Sequence, residues 1–244
     1  MNRSDTHIKI LLLAVVMMFT HSLIQAQEKV DVEKMRPKRV IDKWELLAGP
    51  CMSFTNGKDM IGGINPRITT DYSSKAGYFA GVGVIHSLGK VELRVRVLWE
   101  QRGSVQKIFD YEPNGLFLTS NETKYNYFTV GFTPTIFMGR NQKFFVFLGA
   151  SYSKLSSAES VQTLTLNDQL KSVYRIQYSA GQAGIKGDMV DAIGGIGYKI
   201  YSKNKKEISA FIQNDYDMMD AVNENGTVMR NNTLRIGVHL KIIR

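Results

Sequence analysis

The sequence predicts an all-β fold: an eight-stranded antiparallel up-and-down transmembrane β-barrel with short periplasmic turns and long extracellular loops. Three observations carry that expectation. First, the last strand-like run, Thr233 to Ile243, sets Leu234, Ile236, Val238, Leu240 and Ile242 against Thr233, Arg235, Gly237, His239 and Lys241. Strand side chains point to opposite faces with a period of two, so this run has one oily face and one charged face. Second, seven more segments of the same kind precede it. Third, the chain opens with an export signal.

In that signal, Arg3 and Lys9 precede an apolar run from Ile10 to Phe19, and Ile24-Gln25-Ala26 ends it before Gln27-Glu28. The pattern reads as a cleavable secretory signal over 1–26. The run is shorter than the roughly 20 apolar residues a helical span needs. Leu47-Ala48-Gly49-Pro50-Cys51 resembles a lipidation box only faintly, because Pro50 interrupts it far from the apolar run. Removing 26 of the 244 residues leaves 218, and takes the net charge from +9 to +8 by removing Arg3, Lys9 and Asp5. The remainder divides into a charged periplasmic tail, 27–42, and a single barrel domain, 43–244, with no Pro- or Ser-rich linker. Cys51 is the single cysteine, which excludes an intramolecular disulfide and a cysteine-based metal cluster. A basic exported chain without a basic helix points to outer-membrane lipid or envelope polymers, with no nucleic acid among its partners.

The strands expected in order are Lys43 to Ser53, Gly77 to Ser87, Val91 to Arg102, Tyr125 to Met138, Phe144 to Lys154, Asp188 to Tyr201, Glu207 to Met218 and Thr233 to Ile243. Each is close to the roughly 9–11 residues of a tilted membrane strand. Short connections at Leu88-Gly89-Lys90, 139–143 and 202–206 alternate with long ones at 54–76, 103–124, 155–187 and 219–232. An even strand count with that alternation places both chain ends on the short-turn, periplasmic side. Within the longest connection, 161–166 and 173–178 have the pattern of a hairpin standing beyond the membrane, where binding commonly resides.

Parity refines the picture. If Leu46, Val82, Val95, Val130, Val146, Ile196, Ile212 and Ile236 face outward, so do two rings of aromatics. Trp44, Phe144 and Tyr198 fall near the periplasmic ends, and Tyr78, Trp99, Phe128, Tyr152 and Tyr216 near the loop ends. Phe132 is the outward aromatic nearer mid-depth. Two girdles around an aliphatic band are expected of a membrane barrel; a soluble lipid-carrying barrel would turn its apolar face inward.

The opposite face gathers Glu45, Glu92, Arg94, Arg96, Glu100, Asp191, Lys199, Glu207, Asp215, Asp217, Arg235, His239 and Lys241. Acidic strand seven runs beside basic strand eight, so Asp215 or Asp217 should meet Arg235, and Glu207 should meet Lys241 or Lys199. Eight strands enclose a space that side chains can fill, so this polar network is expected to plug the lumen.

Gly77-Tyr78-Phe79-Ala80-Gly81-Val82-Gly83, then Val91-Glu92-Leu93-Arg94 leading into Trp99-Glu100-Gln101-Arg102-Gly103-Ser104, resembles the second hairpin of the PorT-like outer-membrane β-barrel family. Tyr127 through Pro134, Gly149-Ala150-Ser151-Tyr152 and Asp191 through Gly197 fall where that family has its fourth, fifth and sixth strands. The resemblance spans the mature chain through loose motifs. It implies an eight-stranded barrel with periplasmic ends, in a family where some members serve protein secretion. The chain departs from common barrel practice in ending Ile242-Ile243-Arg244 rather than on an aromatic residue.

Signs of enzymatic chemistry are sparse. Loss of the signal removes His7 and His21, leaving His86 with lipid-facing parity and His239 inward between Arg235 and Lys241, with no nucleophile and base at one rim. Asp215 and Asp217 share a face, but a salt bridge to Arg235 accounts for them before a cation does. Gly194-Gly195-Ile196-Gly197 precedes no helix, so these glycines serve close packing or a bend rather than phosphate binding. The periplasmic turns carry Lys90, Arg140, Lys143, Lys203, Lys205 and Lys206, a basic rim. The expectation is a non-enzymatic bacterial outer-membrane barrel without a cofactor, an envelope structural or partner-binding component accessory to secretion. A narrow diffusion channel is the alternative, and a lipid-modifying hydrolase the third.

Overall fold

The ladder pattern of the strands decides whether the sheet has edges, and here it does not. The computed structural model describes residues 42–57, 68–112, 115–167, 169–178, 187–218, 221–222 and 228–243. The expected signal segment and all of the tail but Asp42 lie outside the described residues. The strands are β1 (Lys43–Gly57), β2 (Ile68–Leu88), β3 (Val91–Glu112), β4 (Gly115–Phe132), β5 (Thr135–Met138), β6 (Phe144–Leu166), β7 (Gln169–Tyr178), β8 (Asp188–Lys203), β9 (Lys206–Asp217), β10 (Ala221–Val222) and β11 (Val228–Ile243). Antiparallel neighbours run β1-β2-β3-β4-β6-β8-β9-β11, and β11 pairs back onto β1 from Lys43↔Ile243 to Gly57↔Met229. Together β4 and β5 make one wall, so the closed ring has eight. Closure satisfies the backbone of every wall from its neighbours, which is what a barrel without water around it requires.

The expected fourth strand, Tyr125 to Met138, is not continuous. It breaks at Thr133-Pro134, because proline has no N–H to give to a ladder. The wall still holds across the break: the Thr133 N–H donates to the Arg94 carbonyl at 2.9 Å, and the Leu148 N–H donates to the Pro134 carbonyl at 3.3 Å. Tight turns at the same end use left-handed residues. Gly89 has φ 66° and Gly139 φ 79°, while consecutive Asn204 and Lys205, at 53° and 61°, match the twist that two-residue hairpins favour.

At the other end, much of what reads in sequence as loop is strand. The β3–β4 hairpin stays paired to Glu112↔Gly115, and β6 continues to Leu166↔Gln169 before β7 returns along it. The runs 161–166 and 173–178 do pair, with Val161↔Arg175 and Thr163↔Val173. Apolar residues such as Val105, Phe109, Leu164 and Ile176 are interspersed with polar ones in this extension, so the alternation weakens while the backbone ladder persists. Side-chain bonds tie it across strands: Thr123 Oγ1 to Ser160 Oγ at 3.1 Å, Asn126 Nδ2 to Ser157 Oγ at 2.9 Å, and Gln106 Nε2 to Tyr72 Oη at 3.3 Å.

Candidate functional site

Period-two alternation delivers the charged face of each wall into one shared interior. Glu45, Glu92, Arg94, Arg96, Glu100, Asp191, Glu207, Asp215, Asp217, Arg235, His239 and Lys241 are all buried there, and Lys199 lies at the short-turn mouth. These groups are layered by depth. Near the short turns, Glu92 accepts from Lys43 and Lys241 at 2.8 Å each and from Arg94 at 2.7 Å. Glu207 sits 3.1 Å from Lys199 and 3.8 Å from Lys241. At mid-depth the Arg96 Nε donates to Glu45 at 2.6 Å, and its guanidinium reaches His239 Nε2 at 3.4 Å. Towards the hairpins, Glu100 accepts from Arg102 at 2.7 Å, from Arg235, and from the Thr129 hydroxyl at 2.6 Å. Arg102 also bonds Asp191 at 2.8 Å, while Asp215 holds Arg235 and accepts from Gln213. Arg102 was legible in the sequence only as the end of a strand; its parity with Glu100 was the signal for a lumen role.

The sequence reading missed the rings interleaved with these charges. Phe79, Phe137, Phe145, Phe147 and Phe211 point inward with Leu47, Leu98 and Ile193. Cations lie over their faces: Arg94 over Phe145 at 5.2 Å, Arg96 over Phe147 at 5.6 Å, Arg235 over Phe79 at 5.7 Å, and Lys241 over Phe137 at 4.9 Å. Such contacts stabilise a cation that has left water. His239 stacks on Phe211 with ring centroids 4.0 Å apart. Room for the rings comes from glycine on the neighbouring strand. Phe147 pairs with Gly195, Phe145 with Gly197, and Phe211 with Gly237, and a Cβ at these glycines would lie 2.3, 2.2 and 2.6 Å from the facing ring. The glycine run 194–197 therefore serves packing, as a filled eight-strand lumen demands.

The outside of the ring has the opposite character. Leu46, Val82, Val95, Val130, Ile196, Ile212 and Ile236 each expose 43–52% of their surface, and Val146 shares their parity. Trp44, Phe144 and Tyr198 point outward near the short turns; Tyr78, Trp99, Phe128, Tyr152 and Tyr216 do so towards the hairpins, and the Tyr78 and Trp99 rings meet at 5.3 Å. Eight residues of β6 separate Phe144 from Tyr152, about 26 Å along the strand and roughly 20 Å across a layer at ordinary barrel tilt, close to the apolar band of membrane barrels. Apolar outside and ionised inside is the reverse of a water-soluble barrel. This is a transmembrane barrel.

Trp44 and Trp99, the two tryptophans of the chain, occupy different girdles. Emission from the reconstituted barrel should be quenched more strongly by lipids brominated near the headgroup than by lipids brominated at the chain end. Equal quenching at both depths would remove the girdle assignment.

His86, outward and half-buried, lies 3.3 Å from Asp42, and His239 is enclosed by Phe211, Phe145 and Arg96. Ser209 is the ladder partner of His239, but its hydroxyl makes no hydrogen bond to the imidazole. Among the described residues, no group of three or more His, Cys, Asp or Glu is placed to hold a metal ion.

No family model matches the chain, and no curated protein matches it. Among solved structures it is similar to Ail, the attachment invasion locus protein of Yersinia pestis, at 10% identity over 83% of this chain and 99% of that one, with a TM-score of 0.41. It is also similar to Neisserial surface protein A, at 11% identity over 82% and 97% with a TM-score of 0.37, and to the outer membrane protein OprG from Pseudomonas aeruginosa, at 11% over 84% and 98% with a TM-score of 0.39. The barrel assignment rests on the closed ring of strands and on its inverted polarity.

Proposed function

We propose that this integral outer-membrane β-barrel is a non-enzymatic, closed barrel that works by binding other envelope components through the hairpins beyond its upper girdle. The accessory role in protein secretion implied by the PorT-like resemblance is part of the same reading. A barrel with an apolar exterior belongs to a bacterial outer membrane, with the short turns and both chain ends in the periplasm. One observation supports the functional reading: among the described residues, the inward-facing ions and phenylalanine rings are buried from solvent at each depth of the barrel, as a plugged lumen requires. A barrel without a path acts through its surfaces. The surface with most reach is the tall sheet of β2, β3, β4, β6 and β7, where β3 runs 13 residues past Trp99 and β7 exposes Leu170, Val173, Tyr174 and Ile176.

The test is gentle cross-linking of intact cells, extraction in mild detergent, and identification of whatever co-purifies at near-equal stoichiometry. A defined set of envelope subunits is expected, and it should be lost when the β6–β7 hairpin is shortened to Ala158–Tyr178. Recovery of the barrel alone, or a partner set indifferent to the hairpin, would overturn the reading.

A further inference from the structure

On the hairpin side the cations are partly paired: Lys75 holds Glu122 at 2.7 Å and Arg175 holds Glu159 at 2.9 Å, while Lys107, Lys124, Lys154 and Lys171 are spread over separate strands. At the short-turn end Lys90, Arg140, Lys143, Lys203, Lys205 and Lys206 are all exposed, and the three turns that carry them, 88–90, 139–143 and 203–206, contain no acidic residue. The carboxylates nearest to them are already engaged. Glu92 and Glu207 point inward to Lys43, Lys199, Lys241 and Arg94, and Asp42 accepts from the Ser87 N–H at 2.7 Å. Among the described residues, none of the six has an acidic partner within 4.0 Å. Six like charges at one rim, with no carboxylate against them among the described residues, repel one another unless an anion lies among them.

Their height identifies the anion. Lys206 pairs with Ile242, which pairs with the girdle residue Trp44, and Lys203 pairs with Lys206. Lys143 directly precedes Phe144, and Arg140 lies two residues beyond Met138, the partner of Phe144. Four of the six therefore stand within two residues of the aromatic ring, about 7 Å along a strand, where lipid phosphates lie. Each turn also has an exposed apolar side chain beside its cations: Leu88 by Lys90, Met138 by Arg140, and Ile200 and Tyr201 by Lys203. An oily foot with a cationic tip fits the boundary between acyl chain and headgroup. Docking a soluble acidic partner would require no such foot, and these turns are too short to reach far into solution.

We propose that this collar selectively binds anionic phospholipid headgroups, phosphatidylglycerol in chemical class, in the leaflet that meets the short turns. The orientation proposed above decides only that this leaflet is the periplasmic one. Selectivity in a symmetric bilayer is independent of orientation and of the hairpins, so its failure and the failure of the partner-binding reading are separately visible.

The experiment places the barrel in phosphatidylcholine bilayers and compares the motionally restricted fraction of spin-labelled phosphatidylglycerol with that of spin-labelled phosphatidylcholine. A preference of roughly threefold averaged over the boundary lipid is expected at low salt, falling towards one in 1 M salt. A variant with Lys90, Arg140, Lys143, Lys203, Lys205 and Lys206 all replaced by Gln should retain the heat-modifiable gel mobility of a folded barrel and show a ratio near one. If that variant does not fold, Lys203→Gln/Lys205→Gln/Lys206→Gln on a single turn should lose about half of the preference. A ratio near one in the native chain, or a preference kept by the folded variants, overturns the proposal. Equal lipid ratios together with saturable poly-L-glutamate binding that the variants lose would also overturn it, and would assign the rim to a soluble acidic partner.

Discussion

Replacing Glu100 with Ala is expected to lower the unfolding free energy of the barrel by about 3–5 kcal/mol, the ordinary cost of breaking a buried ionic cluster from one side. Glu100 is fully buried and accepts from two guanidiniums, Arg102 and Arg235, and from the Thr129 hydroxyl. Removing it leaves Arg102 with Asp191 and Arg235 with Asp215, and strips each buried guanidinium of a charge-assisted hydrogen bond in a space walled by Phe79, Tyr127 and Ile193. Urea titration of vesicle-embedded protein, followed by the gel shift between folded and unfolded forms, measures the loss. Glu122→Ala is the control. Glu122 bonds Lys75 at 2.7 Å with half its side chain exposed, so its removal should cost no more than about 1 kcal/mol. The Lys75 hydrogen bond, and then its charge, hold the Glu122 carboxyl below its ordinary range. The small contribution of that pair is present above the unfolded carboxylate pKa and is lost as the pH falls through the lowered value. A Glu100→Ala loss no larger than the Glu122→Ala loss would mean that water already solvates the lumen, and the packed plug would be wrong.

The difference between those two carboxylates also marks how far the sequence can be read. Where membrane lies on one side and a charged lumen on the other, as at Thr233 to Ile243, each residue has one of two environments, and alternation records which. Strand direction, the eight walls and the facing of Arg235, His239 and Lys241 were legible for that reason. In Phe144-Phe145-Val146-Phe147-Leu148 both faces are apolar, so alternation does not reveal that Phe145 and Phe147 fill the interior. That role emerges only when register sets them against Gly197 and Gly195, information distributed over two strands about 50 residues apart in sequence. Beyond Trp99 charged and polar residues interrupt the pattern, and the apolar parity of Val105, Phe109 and Tyr111 is too broken to mark the continuation of β3 to Glu112. The break at Thr133-Pro134 was readable from proline chemistry alone, yet the strong alternation on either side hid it.

Purified native barrel should give no steady single-channel current in a planar bilayer, whereas the double variant Glu45→Ala/Arg96→Ala should conduct. The pair sits at mid-depth, with Arg96 Nε 2.6 Å from Glu45 Oε1 and its guanidinium over Phe147 and against His239. Taking both residues away removes one charge of each sign, so no orphan ion is left to unfold the wall. What it does remove is bulk. Two long side chains become methyl groups in a lumen that eight strands make only just wide enough to fill, and water takes the space between Gly83, against which Glu45 packs, and the Phe147 ring. The layers above and below retain their own ion pairs and rings, so the expected current is small and flickering. It should be enhanced when Phe211→Ala is added, because that ring meets Phe79, Phe147 and His239 in the same layer. Steady current from the native chain would make it a narrow diffusion pore. Silence from the folded double and triple variants alike would show that the remaining layers are each sufficient to close the barrel, leaving its surfaces as the seat of function.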